Sequence, residues 1–410
     1  MAYRVYRVGG AVRDELLGLE PRETDWVVVG GSPEDLLEQG YRQVGASFPV
    51  FLHPETGDEY ALARTEKKEG HGYHGFAVEF HPGVTLEEDL LRRDLTVNAM
   101  ARDEAGNIID PYGGRADLEG RVLRHVSPAF REDPLRVLRV ARFAARLAPL
   151  GFTVHRATIS LMREITDSGE LEHLASERVW TEVAGAMAAA RPGVFVDVLR
   201  SCGALEALLP EVETLFGVPQ PEKYHPEIDT GLHVTMAMNL AAGEGWPPEV
   251  VYALLLHDLG KGLTPSGELP SHVRHEQRGV PLARRVCERL RTPNAWTDLA
   301  LKVTGLHLRC HRLTEMKPAT KLKLIEEADL LRRPEMLESF VRACEADYRG
   351  RGGFEERDYP QARILKDSLE AARSVRARDL DTEGLKGSQV GNLLRKARIS
   401  AIADIADRSG

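Results

Sequence analysis

"RETDWVVVG", residues 22–30, decides the fold and raises the chemistry in one stretch. Val27, Val28 and Val29 form an unbroken β-branched run closed by Gly30, which reads as a buried strand. Just ahead of it, Glu23 and Asp25 stand two apart. Residues two apart on a strand point to the same side, so these carboxylates are expected to project together at a strand edge. Like charges that close repel unless a cation lies between them, and Mg²⁺ favours carboxylates together with phosphate oxygens. Upstream, "VGGAVRD" (8–14) places Gly9 and Gly10 after one strand and before a helix. Such a turn leaves backbone N–H groups at a helix start, where phosphates bind. Arg13 lies one turn in. A glycine turn and an acidic pair so close together suggest metal-dependent nucleotidyl transfer.

Around this stretch, residues 1–125 alternate short β-rich runs with Gly and Pro punctuation: "YRVYRVGG", "DWVVVG", "YRQVGASFPVFLHP", "DEYALARTE" and "NIIDPYGG", with a helix-like "AVRDELLG" between the first two. They predict a small mixed sheet. From about residue 126 apolar residues recur at three and four spacing, as in "PLRVLRVARFAARLAPL" and "ERVWTEVAGAMAAA", which predicts helices. The fold class is therefore α+β: a head over 1–125, a helical neck and body over 126–220, a further helical domain over 230–331 and a tail over 332–410. "GVPQPEKYHPEIDTG" (217–231) reads as a boundary. The tail from 355 is charged and reads as weakly helical.

At 410 residues the chain needs more than one core. Cys202, Cys287, Cys310 and Cys344 form no CxxC pair and read as reduced thiols of a cytoplasmic protein. No apolar run approaches a membrane span, and the first residues lack the apolar core of a signal peptide. The net charge of −9 argues against nucleic acid as a partner unless positive charge is gathered locally. It is gathered: over 121–146 seven arginines face only Glu132 and Asp133, a local +5. A basic cleft on an acidic body predicts salt-sensitive binding of a polyanion.

Within that window, Arg136, Arg139, Arg142 and Arg146 recur at spacings of three, three and four, one helical stripe. Asp133 and Pro134 are expected in its first turn. Arg suits bidentate bonding to phosphates and base edges. An Asp one turn before an Arg offers an acceptor beside a donor, which matches the Watson–Crick edges of cytosine and adenine. "LLRRDLTVNAM" (90–100) adds Arg93, Asp94 and Asn98 in an apolar frame. Asp94 and Asn98, four apart, share a face if helical and are candidates for reading a ribose. "RTEKKEGHGYHGF" (64–76), rich in Gly and charge, reads as a mobile loop near the site and a candidate gate for it.

"LLLHDLGKG" (254–262) ends an apolar helix with His257 and Asp258, with Gly260 as a stop. His233 lies on the helix before and Asp347 on a later one. Imidazole with carboxylate suits a transition metal or Mg²⁺/Mn²⁺, whose bound water would attack a phosphomonoester or cyclic phosphate. Lys261 is a candidate phosphate holder; His275 and His307 are candidates for a second metal or for the substrate.

With these stretches in order over residues 4–360, the chain resembles the bacterial class II CCA-adding tRNA nucleotidyltransferases, in the multifunctional form that carries an HD phosphohydrolase domain. The resemblance implies a head of the polymerase-β superfamily and helical parts that grip the tRNA acceptor end. It implies that Glu23 and Asp25 hold Mg²⁺ and that Gly10 and Arg13 bind the triphosphate of CTP or ATP. Arg93, Asp94 and Asn98 then read the ribose region, Asp133 and Arg136 the base, and Arg139 and Arg142 complete the pocket. "ERVWTE" (177–182) would buttress the arginine helix. The family's usual pair is Asp-x-Asp, and Glu23 departs from it. The HD domain implies 2′,3′-cyclic phosphodiesterase, 2′-nucleotidase and phosphatase activities, the last with Ni²⁺, in a monomer or homodimer without membrane contact. The alternatives are poly(A) or partial CC/A addition, or a metal phosphohydrolase with a non-catalytic nucleotide-binding head.

Overall fold

The computed structural model describes residues 3–21, 24–44, 50–68 and 76–408. Its contacts divide into two compact units, residues 1–183 with 194–208, and residues 184–193 with 209–410. The residues expected as head and as neck share the first unit as far as 208; the expected HD domain and tail share the second. The stretch 217–231, expected as a boundary, is built into the second unit, where Pro219 pairs with Asp229.

The first unit opens with β1 (Arg4–Val8), α1 (Gly10–Leu16), β2 (Asp25–Val29) and α2 (Pro33–Glu38). Then come β3 (Arg42–Val44), β4 (Val50–Leu52), β5 (Glu59–Leu62), β6 (Arg64–Lys68) and β7 (Phe76–Phe80). After α3 (Leu86–Leu91) follow β8 (Ala101–Arg102) and β9 (Ile108–Ile109). Among the described residues the main sheet has the order β3-β4-β5-β2-β1-β8-β9. It is mixed: β2 runs parallel to β5 and antiparallel to β1. β2 is central and its valines serve both faces. Val27 and Val29 pack with Leu90 and Ala101, and Val28 packs on the other side with Leu36 and Phe51. This two-sided burial is why the run has no polar alternation. Its register sets Asp25 opposite Val8, directly before the glycine turn. β6 and β7 pair antiparallel; the middle of the expected gating loop, 69–75, lies outside the described residues, as does Glu23.

The arginine stretch does not start as expected. A 3-10 turn covers Pro128–Glu132, Asp133 is extended, and the α-helix begins at Arg136 and runs to Leu147. Pro134 favours extended backbone in the residue before it.

In the second unit, helices Thr230–Gly243, Pro248–Leu256, His275–Leu290, Asn294–His311 and Met336–Arg349 carry the histidines and carboxylates singled out above. Tyr252 through Leu256 are fully buried, so the Pro248–Leu256 helix is apolar all round and drives its end into the core. The tail is more helical than expected, with helices Gln361–Ser374 and Gly387–Arg408. All four cysteines are free and buried. Among the described residues no helix is long and apolar enough to cross a membrane.

Candidate active sites

In the first unit the glycine turn is the centre. Gly9 caps α1 with φ 73° and ψ −133°, and no side chain caps this helix start. A Cβ on Gly9 would stand 2.8 Å from Arg93 Nη1 and 3.9 Å from Asp25 Oδ2. The bare Cα thus lets a cation and a carboxylate flank the turn. Gly10, the expected phosphate glycine, is the first residue of α1 and has ordinary room for a Cβ. The steric demand therefore sits on Gly9. Gly9→Ala is expected to cost about 1–3 kcal/mol in backbone strain alone and to push Arg93 away. The melting temperature of Gly9→Ala, compared with that of the parent, checks this.

Asp25 is exposed at the strand edge. Arg93 is held from behind by Asp89, whose Oδ2 accepts from Nη2 at 3.3 Å. Burial works against ionising Asp89, but Arg92 and Arg93 hold its carboxyl below the usual range.

Behind the turn lies a continuous polar chain. Arg13 is almost fully buried; its Nε and Nη2 donate to Asp14 Oδ1 at 2.9 and 2.7 Å, and its Nη1 donates to Asn98 Oδ1 at 2.5 Å. Asn98 Nδ2 donates to Asp94 Oδ1 at 3.0 Å, and Arg139 Nε donates to Asp94 Oδ2 at 2.7 Å. Burial opposes the Asp94 charge, yet Arg139 and the Asn98 amide hold its carboxyl well below the carboxylate range, and Asp94 raises Arg139 in return. Arg142 donates to Glu182 Oε2 at 2.5 Å, and Arg146 to Asp14 Oδ2 at 2.7 Å. The guanidinium carbons of Arg13, Arg139 and Arg142 stand 5.1, 5.7 and 4.6 Å from the centre of the Phe143 ring, within cation–π range.

The structure thus brings Arg13, Asp94, Asn98, Arg139 and Arg142 together, although Asp94 precedes and Asn98 ends a 3-10 turn (Thr96–Asn98) rather than sharing an α-helix. The hydrogen bonds found for Arg136 and Asp133 run to other groups. Arg136 is buried and donates to the carbonyls of Ala129 and Arg92 at 2.8 and 2.7 Å. Asp133 Oδ2 instead accepts from Arg178 at 2.9 Å. Asp14, Asp89, Arg178 and Glu182 are the residues that sequence reasoning passed over or left without individual roles. Asp14, Asp94 and Glu182 fold back onto the stripe from distant segments and offset part of the +5 counted over 121–146.

In the second unit four imidazoles meet two carboxylates. His233 Nε2 stands 3.0 Å from Asp347 Oδ1, and His257 Nε2 stands 3.1 Å from Asp258 Oδ2 and 3.7 Å from Asp347 Oδ1. The other Asp258 oxygen, Oδ1, faces His275 Nε2 at 3.3 Å and His307 Nε2 at 3.7 Å. Asp258 therefore links two groups that could each hold a metal ion, His233–His257–Asp347 and Asp258–His275–His307. Each imidazole turns its Nδ1 outward. His257, His275 and His307 use it on the carbonyls of Leu254, His272 and Val303 at 2.7, 2.9 and 3.0 Å; His233 Nδ1 lies 3.0 Å from Glu227 Oε1 without a well-formed hydrogen bond. For His257, His275 and His307 that outward bond selects the tautomer and leaves Nε2 as the inward donor.

All six residues are buried, and Asp258 Oδ1, Asp258 Oδ2 and His257 Nε2 have no well-formed hydrogen bond. Buried acceptors left so at a convergence of nitrogen and oxygen donors fit a divalent transition metal. Burial would lower His257, but Asp258 and Asp347 push it up to about 10. Burial dominates at His307, which stays neutral. Lys261 lies inside the same cluster, 2.6 Å from Asp258 Oδ2 and 2.5 Å from Gln220 Oε1. Gly260 is no helix stop: a Cβ there would meet His275 O at 1.9 Å. Its absence lets the 3-10 turn after Asp258 lie against the start of the His275 helix. His311 Nε2, also missed in the sequence, bonds Asp347 Oδ2 at 2.7 Å.

Three family models match this chain: a poly A polymerase head domain over 5–124, a probable RNA and SrmB-binding site of polymerase A over 151–216, and an HD domain over 232–333. The multifunctional CCA protein of Ectopseudomonas mendocina is 57% identical over 399 residues, 97% of each chain. That of Pseudomonas aeruginosa is 55% identical over 407 residues, 99% of each chain. Among solved structures, a CCA-adding enzyme in complex with ATP superposes with a TM-score of 0.63 at 18% identity, over 98% of this chain and 86% of its own. The Thermotoga maritima CCA-adding enzyme complexed with tRNA gives 0.61 at 16% identity, over 100% and 92%. At such identities these two speak for the fold alone.

Proposed function

Because this chain belongs to the multifunctional CCA proteins, we propose that it adds C, C and A to the 3′ end of tRNA from CTP and ATP without a nucleic-acid template, and that its HD domain hydrolyses phosphate esters at RNA 3′ ends. The observation that carries the first part is the Gly9 turn, flanked by Asp25 and Arg93 and backed by the arginine chain. In this reading Asp25, with Glu23, holds Mg²⁺, which supplies charge neutralisation for the triphosphate and the attacking hydroxyl. Arg93 and the first turn of α1, from Gly10, take the phosphates. Arg13, Asn98, Asp94, Arg139, Glu182 and Arg142 act as a pre-bonded frame that costs little reorganisation when a nucleotide enters. Asp133 and Arg178, already joined, present an acceptor beside a donor for the Watson–Crick edge of C or A; Arg136 braces the turn beneath them. Supplying ATP alone and CTP alone to a tRNA that ends at its discriminator base tests the selection. Addition of C only from CTP, with no run of A from ATP, is the expected result; a long A tail would mean poly(A) synthesis.

For the HD domain, His233, His257, Asp258 and Asp347 are the proposed metal ligands, and His275 and His307, with Asp258, a second ligand set. The bound metal supplies Lewis-acid activation of water and phosphate. Lys261 balances the Asp258 charge and is placed to meet a phosphate oxygen. Substrates of this centre are a 2′,3′-cyclic phosphate, a 2′-phosphate or another phosphomonoester. A nitrogen-rich set favours Ni²⁺ or Mn²⁺ over Mg²⁺. The proton that His257 keeps up to about 10 must leave when the metal binds. Protons therefore compete with the metal, and affinity should rise with pH, about tenfold per unit between pH 7 and 8 for one proton released. Mn²⁺ titrations at the two pH values check this; equal affinities would contradict it.

A further inference from the structure

Of the four inward-facing histidines, three bond main-chain carbonyls through Nδ1, and only His233 sets Nδ1 against a carboxylate, 3.0 Å away though without a well-formed hydrogen bond. That carboxylate, Glu227, is buried, and its Oε1 also accepts from His225 Nδ1 at 3.0 Å. The loop that carries it is fastened on both sides. Pro219 and Asp229 form a bridge, Gln220 N donates to Ile228 O at 2.7 Å, and Ile228 N donates to His225 O at 2.9 Å. Asp229 caps the His233 helix through Leu232 N at 2.9 Å and accepts from Gly217 N at 2.5 Å. Between Glu227 and Asp229, Ile228 is held at φ 60°, a left-handed conformation that a β-branched residue rarely adopts. The chain accepts a strained residue beside Glu227, and such strain persists only where surrounding bonds enforce it. The same loop reaches two further polar groups of the centre. Gln220 Oε1 accepts from Lys261, and the Tyr224 carbonyl accepts at 3.5 Å from Arg351, whose Nη2 donates to Asp347 Oδ1 at 3.2 Å.

We infer that Glu227 is a positioning residue of the HD centre: its carboxylate fixes the Nδ1–H tautomer of His233 and strengthens His233 Nε2 as a metal donor, and the 217–231 loop exists to hold it there. A carboxylate behind a ligating imidazole raises ligand basicity, and its removal lowers metal affinity 10- to 100-fold in sites of this type. The inference rests on the reading of His233 as a ligand and goes beyond it in assigning Glu227.

The test uses the full chain with Asp25→Asn, which silences the head, and reads bound Mn²⁺ by electron paramagnetic resonance. Glu227→Gln should lower Mn²⁺ affinity about 10- to 100-fold, while the melting temperature measured in chelator stays at that of the parent. His225→Phe, which removes the other partner of Glu227, should leave affinity near the parent. Unchanged affinity in Glu227→Gln overturns the inference, as does an equal loss in His225→Phe or a loss matched by a fall in chelator-state melting temperature. If the parent binds no Mn²⁺ that His257→Ala removes, the metal-centre reading itself fails.

Discussion

Replacing Asp25 by alanine should abolish nucleotide incorporation, by about 10³-fold or more, and leave phosphate release by the HD domain unchanged. The size follows from charge: a carboxylate that holds the metal is worth several kcal/mol of transition-state stabilisation, and each 1.36 kcal/mol is tenfold in rate. The selectivity follows from position. Asp25 is exposed at the start of a strand whose anchorage comes from Val27, Val28 and Val29, so losing its side chain opens no cavity. The HD cluster belongs to the other compact unit. Parallel assays of CTP incorporation and of release from a 2′-phosphate read both arms. Loss of both activities, or of neither, would contradict the assignment.

The second large effect is the mirror image. Asp258→Asn should reduce phosphate release by about 10³-fold or more and spare CTP incorporation. Asp258 is the one residue with an oxygen toward each ligand set, so the amide removes a charge from both. It also removes the main group that raises His257. In metal-free protein the imidazole should therefore titrate well below about 10, and NMR of the ring protons would show it. Sign and mechanism agree: burial disfavours the imidazolium and the carboxylate favours it. An unchanged His257 titration would mean that Asp258 does not govern the site.

Much of this was legible in the chain itself. The Val27–Val29 run, bounded by Asp25 and Gly30, carries its own strand signal, and the glycine turn before α1 announces itself by composition. The buried histidines and carboxylates of the second unit could be named because a short motif fixes two of them and long apolar helices can deliver the others. What the sequence hid is pairing across distance. Asp14 and Arg146 are 132 residues apart yet bonded, and no window of charge can count that acid against that arginine. Asp133 reads as a first-turn helix residue, but the proline after it makes it extended and turns it to Arg178. Gly260 looks like a helix stop because glycine usually is one there; its reason is a neighbouring carbonyl that only the packed helices bring near. The 217–231 stretch reads as a linker because Pro and Gly usually punctuate. Here they shape a loop whose side chains point back into a buried site.

The most direct measurement is incorporation into a tRNA that ends at its discriminator base, with CTP, ATP and Mg²⁺ supplied together and the product read at single-nucleotide resolution. The account predicts addition of C, C and A, ending there, with Asp25→Ala inert. No incorporation by the unaltered chain, alongside phosphate release from a 2′-phosphate or cyclic-phosphate end, would contradict it and leave the HD domain as the enzyme.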